Sequence, residues 1–209
     1  MEALIIIDLQ NDFCPGGKLA VPKGDEIVTT INSLLPYFDQ VIQTQDWHPQ
    51  DHSSFASNQS GKSEYETVSM DYGEQVLWPD HCVQGTRGAE FHPDLKTNDT
   101  RMIVRKGFRQ EIDSYSVFFE NDHQTKTGLD GFLSSFGIKK LFLCGLATDF
   151  CVKWSALDAL KLGYEVYLID DAVKAIDLNG SEAAAIKEMK DAGVKFISSD
   201  FVKQELSDE

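Results

Sequence analysis

Residues 140–170 read KLFLCGLATDFCVKWSALDALKLGYEVYLID, and the hydrophobic pattern of this stretch decides the fold. Lys140 to Gly145 is a short apolar, β-prone run. Thr148 or Asp149 can cap a helix that runs to about Leu162, with Gly163 as its terminator. Glu165 to Asp170 is a second apolar run. Strand, helix and strand within about thirty residues form a βαβ unit, whose crossover makes the two strands parallel. Downstream, Ser181 to Ala192 reads as a helix closed by Gly193, and Val194 to Ser198 as a last strand. Upstream, Leu129 to Phe136 reads as a helix closed by Gly137. The first half repeats the alternation with a strand at Ala3 to Leu9, a helix over Asp25 to Phe38, and strands at Gln40 to Gln45 and Arg101 to Lys106. The fold class expected is α/β, a doubly wound and mostly parallel central sheet with helices on both faces. Residues 1–209 form one domain in this reading, with no repeat or linker. The segments 46–98 and 107–128 resist assignment; stretches that long are usually functional or contain unrecognised elements.

Composition narrows the function classes. The chain carries 34 acidic against 19 basic residues, a formal net charge of −15. Such a surface repels nucleic-acid phosphates and anionic lipid, so neither nucleic acid nor membrane is an expected partner. A small neutral molecule or a cation is. The run Ala3 to Ile7 ends at Asp8 and has no basic residues before it, so it reads as a core strand rather than an export signal. The four cysteines show no C-x-x-C spacing and are expected to be reduced, in a cytoplasmic protein. Composition leaves homo-oligomerisation open.

Open α/β sheets bind ligands beyond the carboxyl ends of their strands. Four of the strands lead to Asp8, to Asp46 and His48, to Lys106, and to Cys151 in the first turn of the following helix. An isolated cysteine is ordinarily an inert core residue, but a helix N-terminus stabilises a thiolate and can hold an oxyanion. Asp8 or Asp12 could accept the thiol proton, although Asp in a loop most often caps a turn. Lys106 could be a solvated strand end, or an ammonium that lowers the thiol pKa; Arg105 should point to the opposite face. Asp46, His48 and His81 are candidate metal ligands: one carboxylate and two imidazoles suit Zn²⁺, Fe²⁺ or Mn²⁺. His52 could be a fourth ligand or cap a turn, and Cys82 is a weaker candidate. Phe13, Trp78 and Tyr115 lie in the same loops; aromatics usually mean core, but a flat heteroaromatic ligand would need such walls.

The pieces ALIIIDLQNDFCPGG (3–17), QDWHP (45–49), LWPDHCVQGT (77–86), VRKG (104–107), DSYSVF (113–118) and GLATDFCV (145–152) occur in this order. Together they resemble the nicotinamidase/pyrazinamidase branch of the isochorismatase-like cysteine hydrolase superfamily. The resemblance implies a catalytic triad of Asp8, Lys106 and Cys151, and so selects Asp8 over Asp12. It implies one divalent ion, zinc or iron foremost and manganese as a third candidate, on Asp46, His48 and His81. It also implies a cis peptide between Leu146 and Ala147, and an oxyanion hole from the backbone N–H groups of Ala147 and Cys151. Some members use a further histidine six residues after the D-x-H histidine. His52 comes four after His48, which argues against it as a direct ligand.

The implied reaction is hydrolysis of nicotinamide to nicotinate and ammonia through a Cys151 thioester. The metal anchors the pyridine nitrogen, and Phe13, Trp78 and Tyr115 surround the ring. Pyrazinamide is expected to react as well, and a role in NAD salvage follows from the resemblance. Three other classes compete. A sister amidohydrolase would cleave a carbamoyl or ureido amide on the same triad. A flavodoxin- or Rossmann-type nucleotide-binding module would share the alternation, but the chain has no G-x-G-x-x-G. A hydrolase using metal hydroxide would not need Cys151.

Overall fold

A computed structural model describes residues 1–207. Six strands, β1 (Glu2–Ile7), β2 (Val41–Asp46), β5 (Thr100–Lys106), β6 (Lys140–Leu146), β7 (Glu165–Lys174) and β8 (Lys195–Ile197), form one sheet in the order β5-β2-β1-β6-β7-β8. Every pairing in it is parallel. Five α-helices complete the fold: α1 (Ile27–Leu34), α2 (Leu129–Ser135), α3 (Lys153–Lys161), α4 (Ser181–Ala192) and α5 (Ser199–Ser207).

The two-residue period of a strand explains the layering. Along β1, Leu4 and Ile6 join a core with Ile31 and Leu34 of α1 and Val202 of α5. Ala3, Ile5 and Ile7 join the opposite core, with Leu133 of α2, Ala156 of α3 and Met189 of α4. Strand β6 divides in the same way, Phe142 and Cys144 to the first core and Leu141 and Leu143 to the second. A strand apolar on both faces can exist only between two helical layers, and each fully buried Leu or Ile stabilises the fold by about 1.5–3 kcal/mol.

Strand order reverses between β1 and β6, so the crevice at the carboxyl ends of these neighbours is the topological switch point. Their close pairing there depends on Gly145, at φ +112°, where an added Cβ would lie 2.1 Å from the Ile7 carbonyl oxygen.

Several boundaries differ from the sequence reading. The helix expected over Asp25 to Phe38 is α-helical only at Ile27–Leu34, with 3₁₀ turns at Gly24–Glu26 and Leu35–Tyr37, the latter containing Pro36. Strand β7 runs on to Lys174 past its expected end at Asp170. The long segment 46–98 contains an antiparallel hairpin, β3 (Thr67–Met70) and β4 (Gly73–Val76). Helix α5 carried no signal strong enough to be assigned. Among the described residues no helix is long and apolar enough to cross a membrane, and all four cysteines are free and buried.

Candidate active site

Asp8 follows β1 in a left-handed backbone conformation, φ 48°, and is fully buried. Its Oδ1 accepts a 2.6 Å hydrogen bond from Thr44 Oγ1 on β2. Lys106, the last residue of β5, reaches across β2 with its ammonium 2.8 Å from Asp8 Oδ2. The same ammonium donates to Asp46 Oδ1 at 2.5 Å, to the Ser114 carbonyl at 2.8 Å and to Cys151 Sγ at 3.4 Å. Lys106 is thus no solvated strand end: it is 1% exposed. Arg105 takes the other face and lies over the Trp47 ring.

Cys151 sits in a π-helical turn, Thr148–Val152, that joins β6 to α3; π turns in α-helices often mark functional sites. Ser155 Oγ donates to the Cys151 carbonyl at 2.6 Å and accepts from the Val117 N–H at 3.0 Å, which ties the turn to the neighbouring loop. The Leu146–Ala147 peptide bond is cis. The capping role read for Thr148 or Asp149 is not observed. Ala147 occupies the N-cap without a side-chain bond. Asp149 instead accepts from Ile176 N, Asp177 N and Ser181 Oγ, which ties the turn to the start of α4.

Burial raises the Asp8 carboxyl above its ordinary value, although Lys106 pulls the other way. Burial also pushes the Cys151 thiol well above the usual thiol range, again against Lys106. The sequence reading had Lys106 lowering the thiol pKa; it does so, but desolvation is the larger effect. Burial thus favours the neutral thiol, beside carboxylates that could accept its proton. Asp12 is not available for that. Its Oδ2 accepts from Cys82 N at 2.8 Å and its Oδ1 from Lys18 N at 3.2 Å, so it fastens two loops together.

Beside this cluster, Asp46 Oδ2 lies 3.5 Å from His48 Nε2 and 3.6 Å from His81 Nε2. His48 Nδ1 is bonded to the Gly107 carbonyl and His81 Nδ1 to the Pro79 carbonyl. A carbonyl only accepts, so in each neutral ring the proton is on Nδ1 and a lone pair remains on Nε2. His48 Nε2 is buried with no hydrogen-bond partner. An orphaned lone pair facing a carboxylate and a second imidazole fits a divalent ion, and fixing the distal nitrogen with a carbonyl is how proteins orient metal-binding histidines. Gly107, φ +63°, permits this: a Cβ there would meet His48 Cε1 at 2.5 Å.

His52 is outside the set. Its Nδ1 is 2.8 Å from Ser54 Oγ and its Nε2 is 3.2 Å from the Ile112 carbonyl, and burial lowers its pKa to about 4. Cys82 contacts the Gly88 carbonyl and does not join Asp46, His48 and His81.

A narrow cleft opens over both clusters. It is lined by Cys151, Asp46 and His81 together with the aromatic Phe13, Trp78 and Tyr115. Trp78 Nε1 donates to the Tyr115 hydroxyl at 3.1 Å, and the Phe13 ring lies 5.4 Å from that of His81.

With this geometry in place, known proteins offer a direct comparison. The family model described as the Isochorismatase domain matches residues 2–201. The chain belongs to the isochorismatase family. Within that family it is 54% identical over 197 residues to a nicotinamidase of Acinetobacter baylyi, covering 94% of this chain and 92% of that protein. A solved nicotinamidase/pyrazinamidase of Acinetobacter baumanii superposes with a TM-score of 0.95 at 53% identity, covering 96% of this chain and 97% of the other. A pyrazinamidase of Pyrococcus horikoshii solved in complex with zinc matches with a TM-score of 0.77 at 39% identity, over 94% of this chain and 98% of that one.

Several residues of this family member's cleft were missed from sequence. Phe150 lines it and packs edge-on against Trp78, ring centroids 4.9 Å apart; its position beside Cys151 was the available clue. Asp113 lines it too, and its place in DSYSVF was a signal without a role. Gln75, fully buried on β4, donates to Tyr115 Oη at 2.8 Å and to Asp113 Oδ2 at 3.1 Å. No pattern announced it, because the hairpin that carries it was not recognised.

Proposed function

We propose that this protein hydrolyses nicotinamide to nicotinate and ammonia through a thioester on Cys151, and takes pyrazinamide by the same route. The observation that carries the reading is a buried ammonium 2.8 Å from Asp8 and 3.4 Å from Cys151, which lines an aromatic cleft. The similarity to nicotinamidases and to a pyrazinamidase supports the substrate class.

Asp8 takes the thiol proton as the sulfur attacks the carboxamide carbon, and Lys106 holds the resulting charges together. The backbone N–H groups of Ala147 and Cys151 receive the oxyanion. Collapse breaks the C–N bond, and Asp8 returns its proton to the leaving nitrogen, which departs as ammonia. Asp8 then deprotonates a water that attacks the thioester, releasing nicotinate and the Cys151 sulfur. Phe13, Trp78 and Tyr115 hold the ring flat and exclude bulk water.

Asp46, His48 and His81 would hold a divalent ion, for which zinc and iron are the leading candidates and manganese the third. Such an ion would supply an anchor for the pyridine nitrogen and Lewis acidity. A place in NAD salvage and a cytoplasmic setting belong to the same proposal; the free cysteines suit a reducing compartment.

The test is acid quenching during turnover of nicotinamide, followed by mass analysis of the Cys151 peptide. A nicotinoyl adduct on Cys151 is expected. Undiminished turnover by Cys151→Ala, with no adduct in wild type, would point to hydroxide attack and defeat the reading.

A further inference from the structure

We propose that Asp113 is the charge-compensating carboxylate of the metal site, acting from outside the Asp46, His48 and His81 ligand set. This rests on the reading that a divalent ion occupies that set.

Asp113 is 2% exposed, and its Oδ1 lies 4.0 Å from His48 Nε2. No lysine or arginine pairs with it among the described residues; Lys106, the nearby cation, is engaged by Asp8 and Asp46. Asp113 accepts only neutral donors, Ser114 N at 2.7 Å to Oδ1 and Gln75 Nε2 at 3.1 Å to Oδ2. The cleft therefore holds the carboxylates Asp8, Asp46 and Asp113 against one ammonium. A buried excess of that kind is costly unless further positive charge is present, which a proton on His48 or a bound dication can supply.

Geometry says where that cation must be felt. Asp46 Oδ2 and Asp113 Oδ1 face the same His48 Nε2 lone pair, at 3.5 and 4.0 Å. Two carboxylates facing one imidazole nitrogen favour positive charge there, a proton or a metal ion. Asp113 is not a further ligand of the set. The ligand atoms of Asp46, His48 and His81 lie within 4.8 Å of one another, whereas Asp113 groups with His48 and His52, and both His52 nitrogens are already bonded. Asp113 also lines the cleft beside Asp46 and His81.

The rival account makes Asp113 a scaffold that merely holds Gln75 and Ser114. Charge and shape separate the two. Asp113→Asn keeps the shape and removes the charge; Asp113→Glu keeps the charge and disturbs the shape. Zinc and manganese would be titrated calorimetrically into metal-free wild type and both variants, with the melting temperature of each metal-free protein recorded. We expect Asp113→Asn to bind about 10–100-fold more weakly, the usual cost of losing an outer partner of a metal site, while Asp113→Glu stays within about tenfold of wild type. The melting temperatures of the metal-free proteins show whether each variant folds, so that a loss of affinity is not read from a loss of structure. Wild-type affinity in Asp113→Asn, or tighter binding by Asn than by Glu, overturns the proposal and leaves the metal site standing. Failure of wild type to bind either ion overturns both.

Discussion

Lys106 Nζ and Asp8 Oδ2 stand 2.8 Å apart, on two side chains with no exposure to solvent. The strands that carry them, β5 and β1, are separated by β2, so the ion pair closes over the end of the intervening strand. It also brings the ammonium to the Cys151 sulfur. Burial costs both charges their hydration, and Asp46 and Asp8 nevertheless hold the Lys106 pKa well above its usual value.

Removing one partner from such a cluster leaves charges with nothing opposite them. Lys106→Met should destabilise the fold by about 3–5 kcal/mol, the usual cost of breaking a buried pair. Turnover should fall by at least about 100-fold. Denaturant titration and steady-state ammonia release measure the two effects; an unchanged denaturation midpoint would contradict the charge assignment.

The pH profile tests Asp8 as the proton acceptor. Burial raises its folded-state pKa above 3.8, and the Thr44 bond lowers it in part. The carboxylate must be ionised to take the thiol proton, so activity is lost as pH falls through this raised pKa. Thr44→Val removes a hydrogen bond to the charged form, worth about 1.5–3 kcal/mol. The acid limb of kcat/KM should then move to higher pH by about 1–2 units. A limb that stays in place would remove Asp8 from the role.

Gly107→Ala is expected to act on metal binding rather than on the sulfur. The new Cβ would meet His48 Cε1 at 2.5 Å in a backbone conformation with φ +63°. The imidazole must turn away from Asp46, and affinity for zinc should drop by about 10–100-fold. Calorimetry on the metal-free protein decides it; unchanged affinity would mean that His48 is not held in place by this contact.

Metal removal should have a second signature in stability. An ion that binds only the folded chain stabilises it by about 2.7 kcal/mol at a hundredfold excess over its dissociation constant. A chelator should therefore lower both activity and melting temperature, and added zinc should restore both. Equal melting with and without chelator would argue against a folded-state metal site.

Much of this arrangement could be read from the chain because strand ends in a parallel sheet have few places to go. Ile7 before Asp8, Gln45 before Asp46 and Arg105 before Lys106 announced where each polar group would emerge. Gly163 and Gly193 marked helix ends at the positive φ values later observed. Other parts were silent for physical reasons. Gln75 and Asp113 act through contacts between segments 38 residues apart, and a two-strand hairpin of mixed burial has no long period to detect. Asp149 looked like a cap because Asp before a helix usually is one; its donors come from a segment that only the tertiary fold brings near. The choice between Asp8 and Asp12 could not be made from spacing, since both lie in one loop and differ in what lies across from them.

Cys151 as the nucleophile of nicotinamide hydrolysis stands or falls on ammonia release by zinc-loaded protein, measured for wild type and Cys151→Ala. Release by wild type that vanishes in Cys151→Ala, with nicotinamide still bound by the variant, is the predicted result. Continued release by Cys151→Ala, or none by wild type, would contradict the account.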